Sequence, residues 1–134
     1  MTRRLLSVVA ALLLGLWACD SSGVPPAYRA VTVPELRLSS TAAQARGRAL
    51  FEAHCSLCHG ERADGRGPRR NLSSQPADFT DPAWRARMRP RRVFYVVREG
   101  VHGTAMPAWK GLSEDETWDV VAYVLSVAEQ NSTR

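Results

Sequence analysis

The reading turns on Cys55-Ser56-Leu57-Cys58-His59. Two cysteines three positions apart, followed at once by a histidine, form the C-x-x-C-H pattern of covalent haem attachment. On one helical turn both thiols can reach the vinyl groups on one porphyrin edge, and His59 can turn a ring nitrogen to the iron. Two other chemistries use a C-x-x-C pair. A structural zinc ion needs four ligands, which here would have to be Cys55, Cys58 and two of His54, His59 and His102. A thiol-redox pair would want a strand before the motif and a sheet after it, and no strand alternation is sustained anywhere in the chain.

Outward from the motif, the periodicity is helical. Ser40 or Thr41 can cap a helix that places Ala43, Gly47, Leu50, Phe51 and His54 on one face. Residues 60–82, rich in Gly, Pro, Arg, Ser and Asp, read as a long loop around a ligand. A short helix is expected at Pro82 to Met88. Another starts at Pro90 and stops at Gly100. The clearest is the last, where Ser113-Glu114-Asp115-Glu116 forms a capping box. Trp118, Val121, Ala122, Leu125 and Ala128 then make a single apolar stripe. The fold class is all-α.

The 134 residues allow one compact domain, and 45% hydrophobic residues supply its core. Cysteines number three, so no closed disulfide framework is available to them. The third is Cys19. Before it, Arg3 and Arg4 precede an apolar run from Leu5 to Trp17, shorter than the roughly 20 residues that span a bilayer. The run ends Leu16-Trp17-Ala18-Cys19, which resembles a lipoprotein signal. Residues 1–18 are then an export signal, and Cys19 is the acylated N-terminus of an exported chain. Asp20 resembles an inner-membrane retention signal. Residues 19–40, with Pro25, Pro26 and Pro34, read as a lipidated end and flexible linker reaching about 70 Å extended or roughly 25 Å as a coil. A segment packed on the domain, Val31 to Leu38 above all, is the alternative. The domain itself is expected over 41–129, with 130–134 as a tail.

A low-spin haem iron needs a sixth ligand. The candidates are Met106, Met88, His54 and His102. Pro107 stiffens the backbone carrying Met106, and His54 stands too close to Cys55 in the chain to wrap to the other haem face.

From about Thr41 to Val127 the chain resembles the class I cytochromes c, small monohaem electron carriers. The matching order is Gly47 and Phe51 in a first helix, Cys55-Ser56-Leu57-Cys58-His59-Gly60, Gly65-Arg66-Gly67-Pro68, a middle helix, Met106-Pro107, and a last helix with Trp118 and Tyr123. Ala77-Asp78-Phe79 and Thr104-Ala105-Met106-Pro107-Ala108-Trp109 are similar to bacterial respiratory members. The resemblance implies a small cytochrome c fold, with first and last helices crossing beside one covalent haem c and long loops around it. It implies thioethers at Cys55 and Cys58 and axial ligands His59 and Met106. It further implies a carbonyl near Pro68 accepting the His59 Nδ1 hydrogen, and Tyr123 closing the pocket. Leu50, Phe51, Leu57, Leu72, Val97 and the last helix would bury the haem. With both axial positions filled, electron transfer through the haem edge is expected rather than catalysis.

The implied setting is the periplasmic side of a bacterial membrane, with a respiratory complex, dehydrogenase, oxidase or reductase as redox partner. A sensor or peroxidase-like protein with a displaceable sixth ligand, or a non-haem metal or thiol lipoprotein, is the competing reading. Lysine and arginine total 18 against 13 acidic residues, and Lys110 is the only lysine. The arginines at 85, 87, 89, 91 and 92 and at 69 and 70 suit haem propionates, an acidic partner or anionic headgroups. Nucleic-acid binding is not expected of an exported chain.

Overall fold

A computed structural model describes residues 23–132. Among them the regular structure is entirely α-helical. The export signal over 1–18 and the acylation site Cys19 lie outside the described residues.

Two long helices frame the fold. Helix α3 (Thr41–His54) starts where the Ala43 amide donates to Ser40 Oγ at 3.3 Å. Helix α7 (Glu114–Ser132) starts on the expected capping box. The Glu116 amide donates to Ser113 Oγ at 3.1 Å and the Ser113 amide to Glu116 Oε2 at 2.8 Å, which satisfies two otherwise orphaned donors. The helices cross at Gly47. A Cβ there would stand 1.8 Å from the carbonyl oxygen of Asp119 and 3.0 Å from Tyr123 Cβ. The crossing is therefore backbone against backbone, and one turn on Phe51 meets Tyr123 with ring centroids 5.2 Å apart.

Between them lie α4 (Ser56–His59), α5 (Pro82–Arg87) and α6 (Pro90–Glu99). Helix α5 is capped by Asp81, whose carboxylate accepts from the Ala83 amide at 2.8 Å. Both α5 and α6 begin on a proline that loses no intrahelical bond in the first turn. Helix α6 sends Val93, Phe94 and Val97 inward, and Phe94 stacks on Trp118 at 4.4 Å.

The last helix corrects the single-stripe expectation. From Thr117 to Ser126 every residue but the half-buried Tyr123 is buried, because α2, α3, α5 and α6 all pack on α7. A helix that is apolar nearly all round is a core helix. Asp119 is 3% exposed within it. It is compensated by Arg46 Nε at 2.7 Å and Arg37 Nη1 at 2.9 Å.

Arg37 belongs to a segment expected to be a flexible linker, and the described part of that segment is packed instead. Residues 26–29 form α1 (Pro26–Arg29) and 35–38 form α2 (Glu35–Leu38). Val24 is buried. Tyr28 sets its ring against Phe94 and Tyr95 and donates its hydroxyl to Glu99. Arg37 also bridges Asp115 at 2.8 Å. The prolines that suggested a tether define short helical turns, and the apolar residues among them supply the burial a free linker lacks.

Candidate functional site

The C-x-x-C-H turn is held from both sides. Helix α3 runs into it, with the Cys55 amide donating to the Phe51 carbonyl at 2.8 Å. On the other side the loop satisfies the carbonyls at the end of α4. The amides of Gly65, Gly67 and Arg69 donate to the carbonyls of His59, Cys58 and Leu57 at 2.8, 3.1 and 3.0 Å. Gly67 must be glycine for this approach, since a Cβ would lie 2.3 Å from the Leu57 carbonyl oxygen.

His59 is buried and stacks on Phe79, with centroids 4.7 Å apart. Its Nδ1 lies 3.1 Å from the Ala77 carbonyl oxygen. That carbonyl, not one near Pro68, is the orienting partner. Pro68 is exposed and lines no part of the cavity described below. The loop passes under α4 at 65–69 and returns to the histidine only at Ala77, a closure that local sequence does not reveal. Burial lowers the His59 pKa, with the hydrogen bond to Ala77 acting the other way, so the ring is neutral at neutral pH. With Nδ1 engaged, Nε2 is the nitrogen left for a metal.

Burial, with Cys58 alongside, pushes the Cys55 thiol up to about 11. A thiol-redox pair works the opposite way, through a lowered pKa. Among the described residues no three His, Cys, Asp or Glu side chains are grouped to hold a metal ion, so the zinc set is not assembled.

Both cysteines and His59 open onto one cavity of about 620 Å³, within the roughly 300–1,000 Å³ typical of small-molecule and cofactor sites. Met106 lines the same cavity. Its loop is built on Gly100, which takes φ +73° at the end of α6. The Val101 amide donates to the Met106 carbonyl at 3.1 Å, and the Met106 amide to Thr104 Oγ1 at 3.2 Å. The Trp109 amide then ties the loop to the Val97 carbonyl at 2.9 Å. Of the rival sixth ligands, His102 is exposed and lines no part of the cavity. His54 lines the cavity, its ring 5.1 Å from Trp109. Met88 also lines the cavity.

Phe51, Leu57, Leu72 and Val97 line the cavity as expected, while Leu50 packs on the core instead. Tyr123 does not line it and supports it from behind, through Phe51. The last helix lines the cavity as expected, through Val120 and Val124, which the sequence reading did not single out, and that reading missed Phe79, Trp84, Val93, Val96 and Trp109. The signal for Val120 and Val124 was available, because they stand on the second apolar face of α7.

The family model described as cytochrome c oxidase, cbb3-type, subunit III matches residues 42–124. The chain belongs to this family; it is a c-type cytochrome. Its residues fit the haem c that the family implies. Two thiols stand one helical turn apart, a neutral buried imidazole is fixed by its other nitrogen, and the space between them is apolar and of cofactor size. Cys55 and Cys58 would hold the macrocycle through thioethers and His59 would hold the iron. Haem supplies a one-electron couple whose potential the protein sets through axial ligand, burial and hydrogen bonding. The cytochrome domain thus makes this an electron-transfer protein.

Proposed function

We propose that the chain is an exported, lipid-anchored monohaem cytochrome c on the periplasmic side of a bacterial inner membrane. It passes single electrons between respiratory partners. The observation that carries the reading is the convergence of Cys55, Cys58, His59 and Met106 on one cavity. His59 and Met106 would both hold the iron, which would leave it no position for a substrate, and a soft ligand raises the reduction potential. Electron transfer through the haem edge is the chemistry left to such a site. Among the described residues no helix is long and apolar enough to cross a membrane. In this reading the tether is acyl chains on Cys19, and two acyl chains anchor stably where one is marginal. The family description names a subunit of a cytochrome c oxidase, which supports an oxidase on one side of the transfer and a dehydrogenase or respiratory complex on the other.

Absorption spectra of the protein, produced with periplasmic haem attachment, test this directly. Sharp reduced α and β bands should survive acid-acetone extraction. The oxidised protein should carry the weak far-red sulfur-to-iron band. Met106→Ala should keep the covalent haem and lose the far-red band. A band that persists in Met106→Ala and vanishes in Met88→Ala would move the ligand. Carbon monoxide binding to the ferrous parent at neutral pH would mark an open sixth position and overturn the carrier assignment.

A further inference from the structure

The last turn of α6 is the platform for the loop that carries Met106. The backbone of Met106 to Ala108 rests on Gly100, where an added Cβ would stand 2.6 Å from the Met106 carbonyl oxygen and 2.9 Å from the Ala108 nitrogen. Further ties follow along the turn. The Val97 carbonyl accepts from the Trp109 amide at 2.9 Å, Arg98 Nη1 donates to the Leu112 carbonyl, and Glu99 Oε2 pairs with Lys110 Nζ at 3.0 Å. The Glu99 bridge continues to a distant part of the chain. Its other carboxylate oxygen accepts from the hydroxyl of Tyr28, 71 residues away. Tyr28 in turn sets its ring on Phe94 and Tyr95 of the same helix. The bond from Tyr28 first, and that from Lys110 second, hold the Glu99 carboxyl below the usual carboxylate range, so it is charged at neutral pH.

We propose that Glu99 is a positioning residue for Met106, clamping the sixth-ligand loop through Lys110 while Tyr28 holds it in place. The N-terminal segment thereby takes part in setting how often the methionine leaves its site. The inference rests on the reading of Met106 as the axial ligand. An exposed ion pair alone contributes little, because two long side chains must be ordered to form it. Here much of that ordering is already done. The carboxylate stands at the end of a helix and is engaged at both oxygens. The Trp109 amide and the Gly100 contact bring Lys110 alongside it. Loss of the bridge reaches Met106 through the loop. When the loop lifts, the Met106 backbone leaves Gly100 and its side chain leaves the cavity it lines. A small ligand that needs the vacated position then binds in proportion to the open fraction.

Loop opening is read in two ways in the haem-loaded chain. In the reduced protein, hydrogen exchange at the Trp109 amide reports the loop, and exchange at the Cys55 amide, bonded to the Phe51 carbonyl, reports the rest of the fold. In the oxidised protein, imidazole added from solution must take the place of the methionine, so its affinity reports the same opening. Tyr28→Phe keeps the ring and removes the hydroxyl; Lys110→Gln removes the charge. Each should raise Trp109 exchange and imidazole affinity about three-fold, and Glu99→Ala, which loses both bonds, about ten-fold. Glu99→Gln, whose amide oxygen can still accept from Tyr28, should fall back to about three-fold. Cys55 exchange should move by less than about two-fold in all four variants. Arg48→Gln, which breaks the exposed Arg48–Glu52 pair of α3, should leave both readings within about two-fold. Unchanged readings in Glu99→Ala, or Cys55 exchange rising as much as Trp109 exchange, overturn the proposal. Faster Trp109 exchange with unchanged imidazole affinity overturns it too. The Met106→Ala spectrum separates the causes. A far-red band lost there leaves the ligand reading standing and refutes the clamp alone; a band retained there refutes the ligand.

Discussion

At the scale of single residues, Gly47 occupies a tightly constrained position and Gly111 does not. Gly47 faces the Asp119 carbonyl across the α3–α7 crossing, and the atoms a Cβ would meet first are backbone, which cannot rotate away. Gly111 has nothing within 4 Å of an added Cβ and no positive φ. Gly47→Ala is therefore expected to destabilise the haem-loaded protein by about 3 kcal/mol, the upper end of overpacking costs. Gly111→Ala should stay within about 0.5 kcal/mol of the parent. Guanidinium unfolding followed in the visible bands checks both. Equal effects would show that the helices can separate to admit a methyl group. Gly47 was legible in the sequence because a glycine inside a helix costs about 1 kcal/mol and asks for a reason. The Ala77 carbonyl was not legible. It reaches His59 through a loop closure between residues 18 apart in the chain, and backbone carbonyls carry no sequence signature.

At the scale of elements, α7 depends on its first turn. The Glu116 carboxyl is held below the usual carboxylate range, first by the hydrogen bond from the Ser113 amide. The folded state thus takes up that proton less readily than the unfolded chain. The stability Glu116 contributes is present above the unfolded pKa of about 4.3 and lost as pH falls through the lower folded value. Glu116→Gln should therefore be less stable than the parent near about pH 6, with the gap closing toward about pH 3 as the parent's carboxyl protonates. A gap constant with pH would mean that the carboxylate charge contributes nothing. Ser113→Ala should cost about 1 kcal/mol at either pH. The existence and type of the helices were legible here because caps, prolines and stop glycines are local signals. The second buried face of α7 was harder to see. Val120 and Val124 look like surplus apolar residues until several elements are known to surround that helix.

At the scale of the molecule, two expectations follow from what fills the interior. The cavity beside α4 measures about 620 Å³. Without haem its apolar lining, Phe51, Phe79, Val97 and Val124 among it, is left open to water, and a domain this small loses much of the burial that holds it together. The apoprotein, made as Cys55→Ser/Cys58→Ser without haem, should give a circular dichroism spectrum low in helix and no cooperative melt. A cooperative apo transition would contradict this.

Residues 23–40 are the second case. They bury Val24, set Tyr28 on α6 and give Asp119 one of its two arginine partners. Removing them should lower the stability of the haem-loaded domain by at least about 3 kcal/mol, through lost apolar burial and a weakened buried ion pair. A free linker would be removable at no cost, so an unchanged melting temperature would restore that description. The segment misleads at the sequence level because its helices are four residues each, too short for periodicity to register, and only the partners on α6 and α7 make them worthwhile.

The wall formed by Val120 and Val124 also bears on the order of events during synthesis. On the exported reading proposed above, the two cysteines leave the membrane channel before α7 does, since the chain emerges from its N-terminal end. Until the last helix arrives, the pocket lacks one side and α3 has no partner for Gly47. The thiols are then accessible to the attachment machinery in a chain that cannot yet close around them. On that reading docking of α7 ends the interval, and the same helix that walls the finished site through Val120 and Val124 is the last part of it to arrive.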